Sequence, residues 1–131
     1  MSWDVYLLKT ETNREADLSE ITEVAPMPCW RELKQILRCR FPDLISGYAH
    51  LDEGIHFPVL SSPDYALEFN LAVENEDEPL TGILFNRPGF GSRWAYPLKF
   101  LCEQLDARII DCGGGDFWDW ENLPDWIASG L

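Results

Sequence analysis

The sequence predicts an α+β fold of the ferredoxin-like kind, in which the element order β-α-β-β-α-β gives an antiparallel sheet with two helices on one face. Three observations predict it: a strictly alternating strand in the middle of the chain, two helical apolar stripes, and β-prone segments at 3–9 (WDVYLLK) and 107–112 (ARIIDC). The length of 131 residues suits one core, so we expect a single domain over 1–131 with a decorated C-terminal tail.

Two segments have the apolar spacing of amphipathic helices. The first, at 29–41, should end at Pro42 and bury one face, formed by Trp30, Leu33, Ile36, Leu37 and Phe41. The second follows RPGFGS, with Ser92 as a candidate N-cap and Pro97 in or near its first turn. Its apolar stripe consists of Trp94, Leu98, Leu101, Cys102 and Leu105.

Strand patterns occupy the middle of the chain. YALEFNLAVE (65–74) alternates apolar and polar residues, which predicts a strand with one buried face, and LTGILFN (80–86) should return as its antiparallel neighbour. GIHFPVL (54–60) should be a short edge strand, because Pro58 has no N–H to donate to a central ladder. We expect 11–28 to be an irregular acidic connection and 123–131 to hold a short terminal helix.

The charge is strongly acidic and unevenly distributed. Ten basic and 23 acidic residues give a net charge of −13, which opposes binding to nucleic acid and to anionic membranes. Residues 41–86 carry nine acids and no Lys or Arg, whereas four of the ten basic residues lie between 31 and 40. A basic protein is the expected partner, although simple solubility would also account for the charge.

The N-terminus has no basic segment followed by a long apolar run, and no apolar run approaches the roughly 20 residues that span a bilayer. We therefore expect a cytoplasmic protein whose four cysteines are thiols. The cysteine spacings do not match a zinc site, and neither metal nor cofactor is expected. Cys102 and Cys112 should be buried. His50 and His56, with Asp52 and Glu53 between them, leave a two-histidine metal site open, with loop histidines as the alternative.

The stretch DCGGGDFWDWE (111–121) combines three glycines with two tryptophans and several acids. The glycines predict a turn, since no phosphate-loop pattern follows them and the flanking aspartates would repel phosphate. Exposed indoles beside carboxylates would suit a basic protein surface. The predicted partner-binding residues are Asp116, Trp118, Asp119, Trp120 and Glu121. The alternative is that the tail folds back and its tryptophans cover the core.

A second candidate site is the loop NRPGFGSRW (86–94), where two arginines flank two glycines before a helix N-terminus that favours anions. Its predicted anion-binding residues are Arg87, Gly89, Gly91, Ser92 and Arg93. A plain connection into a capped helix explains the same residues. No catalytic residue is indicated.

The segments MSWDV and LCEQLDARIIDCGGGDF, together with LEFNLAVE, resemble a group of small, acidic, uncharacterised bacterial proteins. That group shares the SWDV opening and a closing helix and strand with Cys102, Asp111 and Gly115-Asp116, and no activity is established for it. Some small acidic proteins of this build are immunity proteins, which block a toxin. The uneven charge, the tail tryptophans and the absence of a catalytic signature predict a non-enzymatic protein-binding function, and the alternative is a small-anion-binding enzyme or sensor.

Overall fold

The computed structural model describes residues 4–42, 44–50, 56–61, 66–71, 77–86 and 93–123. Two helices and a set of antiparallel strands confirm the α+β class. In chain order the elements are β1 (Asp4–Thr10), a 3₁₀ turn (Leu18–Glu20), β2 (Val24–Ala25), β3 (Met27–Cys29), α1 (Trp30–Arg40), β4 (Leu44–His50), β5 (His56–Ser61), β6 (Ala66–Asn70), β7 (Pro79–Leu80), β8 (Ile83–Asn86), α2 (Ala95–Leu105) and β9 (Arg108–Asp111).

The main sheet is built around β1. Its strand order is β2-β1-β8-β6-β5-β4, and β9 also pairs with β1. The register places Val5 opposite Phe85 of β8 and Leu7 opposite Ile109 of β9, and each of these pairings is antiparallel. The predicted antiparallel pairing is confirmed for 83–86, because β6 and β8 pair with Phe69 opposite Phe85. The predicted strand does not extend to Leu80, which lies in β7 and pairs with β3. The short strands β3 and β7 form a separate two-stranded sheet.

Both helices bury side chains in one core cluster with this sheet. Alternate strand residues such as Val5, Leu7 and Phe69 are fully buried and belong to the same cluster as the helix side chains. Full burial of such a side chain contributes about 1.5–3 kcal/mol. The predicted stripe of α1 is confirmed for the buried Trp30, Leu33 and Leu37, whereas Ile36 and Phe41 are only half-buried. The predicted stripe of α2 is confirmed by five buried residues: Trp94, Leu98, Leu101, Cys102 and Leu105.

The helix ends follow local sequence signals. α1 stops at Arg40, directly before Phe41 and Pro42, as predicted. α2 begins at Ala95 with Trp94 at the N-cap position and no side-chain cap, so the helix starts later than a Ser92 cap would place it. Pro97 lies in the first turn, where its missing N–H is tolerated. Neither helix in the described part of the chain is long and apolar enough to cross a membrane.

The expectation that 54–60 forms an edge strand is wrong. β5 lies between β6 and β4, and β4, which the sequence patterns did not predict, is the outermost strand on that side. Pro58 is accommodated because the β4–β5 register shifts between Ile45 and Ala49, opposite the proline. On the other side, β6 pairs with β5 only from Val59 onward, so no ladder bond from Pro58 is needed.

Residues 11–28 are less irregular than expected. Besides the 3₁₀ turn, this segment contains β2, which pairs with the end of β1, and β3, which pairs with β7. Each strand has only two or three residues, too few for a periodic signal, and each depends on a distant partner. The predicted terminal helix falls on 123–131, of which only Leu123 lies within the described residues.

Gly82, directly before β8, is required because the Tyr6 side chain packs against its backbone. The Tyr6 ring lies directly over Gly82, where an added Cβ would come within 2.1 Å of the tyrosine Oη. Only a residue without a side chain leaves room for the ring there.

Candidate protein-binding surface

The glycine run forms a hairpin turn, as predicted. The Asp111 carboxylate accepts a hydrogen bond from the Gly113 N–H at 2.8 Å, and the Asp111 carbonyl accepts one from the Gly115 N–H at 2.7 Å. Gly115 has a φ of 77°, a left-handed conformation that costs glycine little. The chain then returns along β9, with Phe117 bridged to Ile110. The turn thus brings the tail (residues 116–123) back along the edge of the sheet.

The tail tryptophans form a short ring ladder on the core. Trp118 lies 5.9 Å from the fully buried Trp94, and Trp120 lies 5.5 Å from Trp118 in an edge-on arrangement, both measured between ring centroids. Trp118 and Trp120 are half-buried and pack against the core cluster. Trp120 also hydrogen-bonds the Cys102 thiol, whose pKa burial raises to about 12. The tail therefore covers part of the core while each indole keeps an exposed portion.

The acids of the tail point into solvent around these indoles. Asp116, Asp119 and Glu121 are exposed. The Asp119 carboxylate accepts hydrogen bonds from the Asn122 side chain at 2.7 Å and from the Glu121 N–H at 3.0 Å. The Asn122 bond is the main cause that lowers the Asp119 pKa, so this carboxylate is ionised at neutral pH.

A second acidic segment, which the sequence patterns did not single out, adjoins the tail. Asp17 forms a β-bridge with Asp116, and the Leu18 N–H donates to the Gly115 carbonyl at 3.0 Å. Leu18 is 56% exposed, the most exposed large apolar side chain among the described residues. The residues Asp-x-Ser-Glu at 17–20 are typical of a capped turn. In the structure the Asp17 carboxylate caps this turn by accepting a hydrogen bond from the Ser19 N–H at 2.9 Å. The sequence did not show that this turn lies against Gly115 and Asp116.

These two segments are joined at the Asp17–Asp116 bridge, and we define the acidic surface as Leu18 together with the acids of both segments: Asp17, Glu20, Asp116, Asp119 and Glu121. Residues 15–24 and 109–123 contain no Lys or Arg. Arg108 lies at their junction, and its Nη2 is 2.7 Å from Glu15 Oε2. With its negative charges beside an exposed leucine, this surface is complementary to a protein surface that is cationic and partly apolar.

Contacts between Glu15 and Arg108 of β9 hold the segment 15–24 against the sheet. Arg108 Nη1 donates to the Glu15 carbonyl at 2.8 Å, and its guanidinium carbon lies 3.6 Å from the centroid of the Phe117 ring. Glu15 also accepts from the hydroxyls of Thr10 at 2.6 Å and Thr12 at 2.7 Å. Because Phe117 belongs to the tail, this network holds both halves of the acidic surface in one arrangement.

The same network predicts an acid-sensitive fold. The Thr10 hydrogen bond first, then Thr12 and the Arg108 charge, lower the Glu15 pKa from its usual 4.5 to about 2. The unfolded chain then binds more protons at low pH, so the stabilisation is complete above the usual pKa and is lost as the pH falls toward 2. Urea unfolding between pH 5 and 2 should show a shallower loss of stability in Glu15→Gln than in the wild type. Glu11→Gln is the charge-matched control, and equal slopes for wild type and Glu15→Gln would contradict the prediction.

The predicted anion loop is only partly visible. Arg87, Gly89, Gly91 and Ser92 lie outside the described residues. Arg93 is exposed and directly precedes the N-cap of α2, and its carbonyl accepts from the Tyr96 N–H at 3.4 Å. The structure therefore does not bring this predicted set together within the described part of the chain, and the anion loop stays a prediction.

The cysteines are four free thiols, as expected. Cys102 is buried, but the expected burial of Cys112 is wrong: it is exposed, because β9 ends at Asp111 and the turn begins at Cys112. Partial desolvation and the charges of Asp4 and Asp111 raise the Cys112 pKa, which lowers its reactivity at neutral pH.

The two histidines are brought together by the β4–β5 register, which places His50 opposite His56. Asp52 and Glu53 lie outside the described residues. Within the described ranges, no group of three or more His, Cys, Asp or Glu side chains is placed to hold a metal ion.

No protein-family model, curated protein sequence or solved structure matches this chain. The resemblance to small acidic bacterial proteins therefore stays a prediction.

Proposed function

We propose that this protein is a non-enzymatic binding module whose acidic surface engages a basic partner protein. One observation carries the proposal. The segments 15–24 and 109–123, which contain no Lys or Arg, are joined by the Asp17–Asp116 bridge, and Leu18 is exposed beside this bridge. Complementary charge speeds encounter and selects the partner, while an apolar centre supplies contact area that excludes water. Trp118 and Trp120 add their exposed portions to the rim of this surface.

The Glu15–Arg108–Phe117 network also supports the proposal. It fixes the two segments relative to each other before any partner arrives, so little conformational entropy is lost on binding. An immunity-like role, in which the acidic surface blocks a basic toxin, is the specific form that we propose. The cytoplasm is the compartment in which such a protein would act.

We further propose that the fold is ferredoxin-like, with additions. The order β9-β1-β8-β6, antiparallel throughout, is the order expected for the four strands of a β-α-β-β-α-β chain. β5 and β4 then extend the sheet beyond β6. In this arrangement the acidic surface lies at the β9 edge, opposite the extended side.

The binding proposal predicts a charge-specific loss of affinity. Asp116→Asn combined with Glu121→Gln should weaken binding to the native basic partner by at least tenfold in low salt. Neither carboxylate takes part in a hydrogen bond within the described structure that the substitutions would break. Binding by the wild type should also weaken as salt rises from 50 to 500 mM, because screening shortens the range of the attraction. Capture from the source cell at low salt, followed by calorimetry with the purified partner, measures both effects.

The matched control is Glu32→Gln combined with Glu78→Gln, which removes two exposed acids from outside the acidic surface. An equal loss of affinity in both double variants would mean that net charge alone attracts the partner. A captured partner that is itself acidic, or binding that does not change with salt, would overturn the proposal.

A further inference from the structure

A small cleft beside the two helices carries a net positive charge, although the chain as a whole is acidic. It has a volume of about 240 Å³ and lies between the last residue of α1 and one face of α2, from Tyr96 to Glu103. On α2 its lining residues are spaced three or four apart and so share one face of the helix. The cleft is lined by Arg40, Tyr96, Lys99, Phe100 and Glu103.

The arginine of this cleft is held in place by aromatic residues. Arg40 Nε donates a hydrogen bond to Tyr96 Oη at 2.6 Å, and its guanidinium carbon lies 5.7 Å from the centroid of the Tyr96 ring. Phe41 packs edge-on against both Tyr96 and Phe100, with ring centroids 5.9 and 5.5 Å away. Since Nε is used in this contact, the two Nη groups are the donors that Arg40 can present to a ligand.

The charges of the cleft select a singly charged anion. Arg40 and Lys99 contribute two positive charges, and no described residue forms an ion pair with either of them. Glu103, on the same wall, would repel a second negative charge on a ligand. A carboxylate therefore fits better than a dianionic phosphate. The Phe100 and Tyr96 rings offer an apolar wall to whatever group carries the carboxylate.

We propose that this cleft binds a small organic carboxylate whose carboxyl group contacts Arg40 and Lys99 and whose apolar part contacts Phe100. The site does not depend on the acidic surface or on the Arg87–Arg93 loop, so it can fail or hold independently of the proposed function. The carboxylate could belong to a free small acid or to the C-terminus of a peptide chain, since both present the same chemistry.

The test is a calorimetric titration of the full chain with benzoate, benzamide, inorganic phosphate and N-acetylphenylalanine. We expect saturable binding of benzoate, no binding of the uncharged benzamide, and weaker binding of phosphate. If N-acetylphenylalanine binds more tightly than benzoate, the ligand is the C-terminus of a peptide chain. If benzoate binds more tightly, the ligand is a free small acid. Arg40→Gln and Lys99→Gln should each weaken benzoate at least tenfold, and Lys99→Gln leaves the Arg40–Tyr96 contact intact.

The charge-matched control is Arg14→Gln, an exposed arginine outside the cleft, which should bind benzoate as the wild type does. Four results would overturn the proposal: no saturable binding of benzoate, equal binding of benzamide, phosphate binding tighter than benzoate, or an Arg14→Gln effect as large as that of Lys99→Gln.

Discussion

Replacing both Trp118 and Trp120 with alanine should lower the free energy of unfolding by about 3–5 kcal/mol. Both indoles pack against the core cluster, and Trp118 also contacts the fully buried Trp94. Removal of a fully buried aromatic ring costs about 3–5 kcal/mol, and half-buried rings should cost about half as much each. The melting temperature should fall by about 10–15 °C for a domain of this size. Urea unfolding followed by circular dichroism measures the change directly.

Leu18→Ala is the control, because it removes an apolar side chain that is 56% exposed. Its free energy of unfolding should stay within about 0.5 kcal/mol of the wild type, while its affinity for the basic partner should fall. A loss below about 1 kcal/mol in the tryptophan double variant would show that the indoles contribute little to the core. Trp118 and Trp120 would then belong to the binding surface alone.

Trp94→Ala should have the largest effect of any single substitution proposed, a loss of about 3–5 kcal/mol. Its ring is 1% exposed and lies between the start of α2 and the tail. Without it, Trp118 would lose the surface on which it packs. Trp94→Leu and Trp118→Leu keep the apolar character and form a milder pair for a double-mutant cycle. We expect a coupling of about 0.5–1.5 kcal/mol between them, as for other aromatic pairs.

The matched cycle pairs Trp118→Leu with Phe69→Leu. Phe69 is fully buried, and its ring contacts are to Trp30 and Phe85 rather than to the tail. These two substitutions should be additive within about 0.5 kcal/mol. Coupling as strong in this cycle as in the Trp94 cycle would mean that the tail responds to any loosening of the core.

Local patterns were sufficient for the elements whose burial follows from their own periodicity. The α1 stripe, the glycine turn after β9 and the alternating strand predicted at 65–74, which contains β6 (Ala66–Asn70), all depend on residues within a few positions of one another. Leu33, Leu37, Leu67 and Phe69 are buried as their spacing predicts. Such signals work because a helix or a strand presents fixed positions to the core whatever lies opposite.

The elements that the sequence patterns missed depend on partners far along the chain. β2, β3 and β4 are short or have no alternating pattern, and each exists because another strand lies beside it. The internal position of β5 could not be inferred from Pro58, since the register shift that accommodates the proline belongs to β4. Strand pairing is a long-range choice, and a single sequence carries little information about it.

The candidate sites divide in the same way. The sequence alone determined the acidic charge, the absence of Lys and Arg after Arg108, and the tryptophans beside Asp116, Asp119 and Glu121. Only the tertiary structure decided that Asp17 and Leu18 lie against this segment, because the bridged residues Asp17 and Asp116 are 99 positions apart along the chain. It also decided that Arg40 meets Tyr96, 56 positions away. Charge and residue type are properties of the chain, whereas a surface or a cleft forms only where folding brings distant segments together.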